Sequence, residues 1–145
     1  MTEKLRKILI VDDDRELRMV LYEAFNRQGH GVSVAENGIM ALDIFEKNPA
    51  DLVITDINMP EMGGMELLKK VSEDEDLRKI PLIFITTEAS DARQEEARKL
   101  GVAGYVKKPF QPEAIKAILY EVLEKAYAHR LEEKPDEDLG EESDF

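Results

Sequence analysis

An α/β fold, a doubly wound parallel sheet built from five βα units, is predicted by three observations. Short apolar runs alternate five times with stretches in which apolar residues recur at helical spacing. Three of the runs are continuous rather than alternating, the mark of strands buried on both faces. The 145 residues suffice for one domain with a core of its own. Such units join parallel strands through right-handed crossovers.

The first strand is Ile8-Leu9-Ile10-Val11. Leu17, Val20, Leu21, Ala24 and Phe25 follow at helical spacing until Gly29 stops them, with Asp14 placed as the cap. Val32-Ser33-Val34-Ala35 alternates and reads as a half-exposed edge strand. Asn37 caps a second helix, carried by Ala41, Leu42 and Phe45 and closed before Pro49. Leu52-Val53-Ile54 is the third strand, and Leu67, Leu68 and Val71 mark the third helix. Acidic residues 73–76 make a solvated turn, and Leu82-Ile83-Phe84-Ile85 is the fourth strand. The fourth helix, about residues 91–100, turns only Ala92, Ala97 and Leu100 inward and ends at Gly101. Gly104-Tyr105-Val106 is a short fifth strand. Pro112 opens the last helix, with Ile115, Ile118, Leu119, Val122 and Ala126 on its buried face. The continuous runs belong at the centre and the second and fifth strands at the edges. That strand character agrees with the order 2-1-3-4-5, already known for flavodoxin-like sheets, without fixing it by itself.

Composition narrows the function classes. The net charge of −12 argues against nucleic acid as a direct partner. Residues 131–145 carry eight acidic groups and one lysine, so −7 of that charge sits in the tail. Residues 1–131 are expected to form the domain and 132–145 an acidic, unstructured tail. The absence of cysteine excludes disulfides and thiolate metal sites. A charged start and short apolar runs fit neither a secretory signal nor a membrane span, so no membrane insertion and a cytoplasmic home are expected.

Four segments follow the strands into the helices: Asp12-Asp13-Asp14, Thr55-Asp56-Ile57-Asn58-Met59-Pro60, Thr86-Thr87-Glu88 and Lys107-Lys108-Pro109-Phe110. In an open parallel sheet these ends share one edge, where ligands bind. Asp12, Asp13, Asp56, Thr86 and Lys108 therefore converge. Two carboxylates ~5 Å apart repel by roughly 3 kcal/mol at an effective dielectric of ~20, so a purely structural site would not gather three. A hard dication such as Mg²⁺ removes the conflict and bridges carboxylates to phosphate. Lys108 adds a point charge and Thr86 a hydroxyl for a phosphoryl group. Strand alternation puts Lys107 and Lys108 on opposite sides, with Lys107 toward solvent.

These motifs resemble the receiver domain of bacterial two-component response regulators, the CheY-like family, over roughly residues 5–130. The resemblance implies a flavodoxin-like sheet and a phosphoacceptor that catalyses only its own phosphorylation and dephosphorylation. It implies Asp56 as the phosphorylated residue, Asp13 and Asp56 as direct Mg²⁺ ligands with Mn²⁺ able to substitute, Asp12 acting through water, and the Asn58 carbonyl as a further ligand. Thr86 resembles the switch hydroxyl, Tyr105 the aromatic switch residue and Lys108 the phosphate-pairing lysine, with a cis bond to Pro109. Asn58 and Glu88 resemble the pair that tunes dephosphorylation in the chemotaxis type. The implied partners are a sensor histidine kinase or histidine phosphotransfer protein and a downstream protein target. His30 and His129 lie outside the motif set and read as loop or surface residues, so the donor histidine belongs to another protein. Glu61-Met62-Gly63-Gly64 departs from the family, which often places an acidic residue before one glycine; loop rigidity is at issue, and no ligand is lost.

Two other classes fit less well. A haloacid dehalogenase-type phosphatase also uses an aspartate after a first strand, but Arg15-Glu16 stand where it places a small threonine or valine. A flavodoxin-like electron carrier needs a hydroxyl- and glycine-rich loop after the first strand, where this chain has aspartates. Within the receiver family a stand-alone protein is expected, the alternative being a receiver fragment of a larger DNA-binding regulator or hybrid kinase.

Overall fold

A computed structural model of the chain describes residues 6–59, 61–87 and 90–133, with the backbone alone at 112 and 128–133. Strands β1 (Lys7–Val11), β2 (Gly31–Ala35), β3 (Leu52–Thr55), β4 (Leu82–Thr86) and β5 (Gly104–Lys107) alternate with helices α1 (Arg15–Arg27), α2 (Gly38–Lys47), α3 (Gly64–Glu73), α4 (Asp91–Lys99) and α5 (Pro112–Glu133). A 3₁₀ turn, Leu77–Lys79, precedes β4. All strand pairs are parallel, in the order β2-β1-β3-β4-β5, the flavodoxin-like sheet expected. The continuous runs are central, and the two weaker strands are the edges.

Strand alternation divides the interior into two cores. Leu9, Val11, Val53 and Phe84 pack toward Phe45, Leu67, Val71 and Ala97, under α2, α3 and α4. Ile8, Ile10, Ile54 and Ile85 pack toward Leu21, Phe25, Ile115 and Leu119, under α1 and α5. Each large apolar side chain fully buried this way contributes roughly 1.5–3 kcal/mol.

Local signals set the helix ends. The Asp14 carboxylate accepts from the Glu16 and Leu17 amides, the Asn37 side chain from the Met40 amide, and the Ser90 hydroxyl from the Arg93 amide. Gly29 and Gly101 follow α1 and α4 at φ 94° and 92°, where a Cβ would be strained.

Three expectations need correction. Val20 is 47% exposed, because the inward stripe of α1 centres on Leu21 and Phe25 and leaves Val20 on its margin. Ala92 is exposed: five residues before Ala97, it lies about 140° round the helix from that buried position. His30 does lie in the loop entering β2, but it is buried; its Nδ1 accepts the Arg6 amide at 3.0 Å and its Nε2 lies 3.4 Å from the Tyr120 hydroxyl. Glu88, Pro60, the His129 side chain and the tail from residue 134 lie outside the described residues. Among the described residues, no helix is long and apolar enough to cross a membrane.

Candidate functional site

The site grows directly from sheet register. Val11 pairs with Thr55, so Asp12 and Asp56 leave neighbouring strands side by side. Both continue the ladder: the Asp12 amide donates to the Ala35 carbonyl at 3.1 Å and the Asp56 amide to the Val11 carbonyl at 3.0 Å. On the other side Thr86 pairs with Lys107, and the next residue, Lys108, donates its amide to the Thr86 carbonyl at 2.8 Å. The Lys108–Pro109 bond is cis, and Lys107 is exposed while Lys108 is half-buried.

Carboxylate oxygens of Asp12, Asp13 and Asp56 lie within 4.8 Å of one another. Asp12 is fully buried and Asp56 nearly so, whereas Asp13 is exposed. The Lys108 ammonium stands 3.2 Å from Asp12 Oδ2 and 3.1 Å from Asp56 Oδ2. Asp12 Oδ1 accepts the Asp14 amide at 2.8 Å, and Asp56 Oδ1 accepts the Ile57 amide at 2.6 Å. Arg18 fastens the Asp12 main chain from α1, donating to its carbonyl at 2.7 Å.

Burial pushes the Asp12 carboxyl above its usual range, outweighing the Asp14 amide and the Lys108 charge that act in the opposite direction; Asp56 adds to the rise. For Lys108, burial alone would lower the pKa. The hydrogen bond to Asp56 and the fields of both aspartates outweigh it, so the ammonium is held above its ordinary value. The lysine is therefore charged, and three clustered acids share one cation. Hard oxygen donors at this spacing, one set open to solvent through Asp13, fit a dication that prefers oxygen ligands.

Asn58 is exposed and borders a cleft of about 460 Å³ beside the acids, together with Asp13, Met59, Met65, Glu66 and Arg93. Where the loop from β3 enters α3, Gly63 and Gly64 sit in close approach to backbone. A Cβ at Gly63 would stand 2.6 Å from the Ile57 carbonyl oxygen, and one at Gly64 would overlap the Asp56 carbonyl oxygen and meet Phe84 Cε1 at 2.9 Å. The Gly64 amide donates to the Ile57 carbonyl at 2.8 Å, closing the turn. The twin glycines that departed from the family pattern are thus what lets α3 start against Asp56.

Thr86 is fully buried at the end of β4. Tyr105, half-buried on β5, meets Phe84 edge-on with ring centroids 6.1 Å apart. Asp12, Asp13, Asp56 and Lys108 are in mutual reach. Thr86 joins through the Lys108 main chain, and Asn58 stands at the cleft. Sequence reading missed the Ile57 amide, Arg18, the lack of room for a Cβ between Gly64 and Phe84, and Arg93. Only the paired glycines carried a visible signal.

A family model for the response regulator receiver domain matches residues 8–120. The chain is 42% identical over 119 residues to a chemotaxis protein CheY homolog of Campylobacter jejuni, a match spanning 81% of this chain and 92% of that protein. It is 41% identical to chemotaxis protein CheY1 of Helicobacter pylori, over 81% of this chain and 96% of that one. Among solved structures, Vibrio cholerae CheY4 superposes with a TM-score of 0.78 at 33% identity, covering 82% of this chain and 99% of that chain. A CheY-like receiver domain protein of Methanospirillum hungatei superposes with a TM-score of 0.81 at 27% identity, over 87% and 99%.

Proposed function

The chain belongs to the response regulator receiver family, in its CheY type, the receiving half of two-component signalling, and on that footing we propose that Asp56 accepts a phosphoryl group from a phosphohistidine and that the change is read by a protein target. The observation that carries this reading is the Lys108 ammonium held between Asp12 and Asp56, at 3.2 and 3.1 Å, beside a third carboxylate.

Asp13, Asp56 and the Asn58 carbonyl would hold Mg²⁺ or Mn²⁺, with Asp12 acting through water, and the bound ion would offset carboxylate charge and polarise phosphoryl oxygens. The rest is positioning by the chain itself. The Ile57 amide fixes one oxygen of Asp56, so the carboxylate is oriented before a donor arrives. A carboxylate oxygen attacks phosphorus in line, and the imidazole of the donor leaves with the bonding pair. Lys108 transfers its attraction from the carboxylate to the phosphoryl oxygens, and Thr86 offers its hydroxyl to another. Neither histidine of this chain is assigned the donor's role: His30 hydrogen-bonds at the opposite end of the sheet, at the start of β1. The donor is a sensor histidine kinase or histidine phosphotransfer protein.

The protein acts on no other substrate; it catalyses its own phosphorylation and dephosphorylation, the latter tuned by Asn58 and Glu88, the pair that the family resemblance singles out. Thr86 and Tyr105 carry the change to the surface formed by α4, β5 and α5. The names of the relatives support a chemotaxis output, and a cytoplasmic location follows from a kinase-coupled role. Incubation with acetyl phosphate tests the reading: intact mass should rise by one phosphoryl group with Mg²⁺ and not with excess chelator. No gain in either condition would refute it.

A further inference from the structure

Arg93 occupies the first turn of α4, where its amide is capped by the Ser90 hydroxyl at 3.2 Å. Its side chain is half-buried and lines the cleft that also holds Asp13 and Asn58. Three other cations in this region are engaged: Lys108 with Asp12 and Asp56, Arg18 with the Asp12 carbonyl, Arg98 with Glu95. Among the described residues the Arg93 guanidinium forms no ion pair, although Glu66 borders the same cleft. A charged group lining a cleft, with no ion-pair partner among the described residues, is available to a ligand.

The charge balance says which ligand. Three carboxylates against one ammonium leave the acidic cluster two negative charges in excess, which a bound dication would cancel. A dianionic donor would then meet a cluster with no net charge to draw it in. A guanidinium in the cleft beside Asp13 and Asn58 adds the positive charge that attracts it. We infer that Arg93 is a donor-recognition residue, which draws the phosphoryl group of the incoming donor into the cleft and makes the site favour dianionic donors. The inference rests on the phosphoacceptor reading above.

Two small donors separate charge recognition from chemistry. With acetyl phosphate, a dianion, an Asp56 oxygen bonds phosphorus, the bond to the acetate oxygen breaks and acetate leaves with the pair. With phosphoramidate, a zwitterion and net monoanion, the phosphorus–nitrogen bond breaks and ammonia leaves. Both give the same aspartyl phosphate, so their rates differ in approach and leaving group but not in product.

The test measures second-order phosphorylation rate constants for both donors, with Mg²⁺, on wild type, Arg93→Gln, Arg93→Glu and Arg93→Lys. The ratio of acetyl phosphate to phosphoramidate should fall by about fivefold in Arg93→Gln and further in Arg93→Glu. Arg93→Lys, which keeps the charge, should stay within about twofold of wild type, and high salt should move the wild-type ratio toward that of Arg93→Gln. An unchanged ratio in Arg93→Gln and Arg93→Glu would overturn the inference, as would Arg93→Lys falling as far as Arg93→Gln, which indicates packing. Wild type that takes phosphate from neither donor would instead bring down the phosphoacceptor reading, and this one with it.

Discussion

Lys108 donates its amide to the Thr86 carbonyl at 2.8 Å while its ammonium stands 3.1 Å from the Asp56 carboxylate. The residue that pairs with the proposed acceptor is thus fastened to the end of β4 through its main chain. Any shift of Lys108 toward phosphoryl oxygens pulls on the strand that carries Thr86. Tyr105 is next in line, through its edge contact with Phe84 on the same strand.

Thr86→Ala separates acceptance from transmission. The variant should still take phosphate on Asp56, because it keeps the backbone bond to Lys108 and the whole acidic cluster. It should lose most of the phosphorylation-dependent shifts in amide NMR across residues 90–108. The full wild-type pattern in the variant would show that the hydroxyl is not the coupling element. The motion is expected in α4 because it buries only Ala97 among its nine residues, which leaves it the least anchored helix of the domain.

Metal binding should stabilise the protein before any phosphate is present. At a concentration about 100-fold above its dissociation constant, an ion that binds only the folded state adds ~2.7 kcal/mol. Mg²⁺ should therefore raise the melting temperature of wild type, and Asp13→Ala should remove most of the gain. Asp13 is the exposed member of the three acids, so its loss leaves no buried charge unpaired. An equal shift in the variant would overturn the ligand assignment.

Asp12→Asn should make the metal-free protein more stable at neutral pH, by about 1 kcal/mol. Burial raises the Asp12 pKa, so folding favours its protonated form. With the folded value above the unfolded 3.8, this group favours the fold most at low pH and penalises it once pH rises through the folded value. The advantage of Asp12→Asn should close as the solution is acidified toward that range. Urea unfolding in chelator at stepped pH would measure it, and a variant less stable than wild type at neutral pH would contradict the claim.

Gly64→Ala should destabilise the fold by about 2–4 kcal/mol. The new methyl group would overlap the Asp56 carbonyl oxygen and press on Phe84, both in buried, close-packed surroundings. Gly31→Ala, whose Cβ would meet only Lys7 Cγ at 3.9 Å, is the control and should shift stability far less. Similar unfolding midpoints for the two would show that the loop gives way easily.

The sheet was readable because β1, β3 and β4 are continuous apolar runs that only a doubly covered strand requires. The acids and Lys108 were readable because each directly follows a strand, so register alone brings them together. Val20 and Ala92 were not, since helical periodicity marks a stripe and leaves its margins undecided. The burial of His30 depends on α5 reaching it through Tyr120, a contact between residues 90 apart that no local pattern encodes. Gly63 and Gly64 read as a loose loop because a glycine chosen for close approach looks, in sequence, like one chosen for freedom. Arg93 had no signal at all on a helix whose only apolar residues are Ala92 and Ala97.

Transfer from a phosphorylated histidine kinase, followed by borohydride trapping and peptide mapping by mass spectrometry, tests the phosphoacceptor claim most directly. The placement of Asp56 against Lys108 and the Ile57 amide predicts one trapped site, Asp56, with no label in Asp56→Asn. Label at another residue of the wild type, or full labelling of Asp56→Asn, would contradict it.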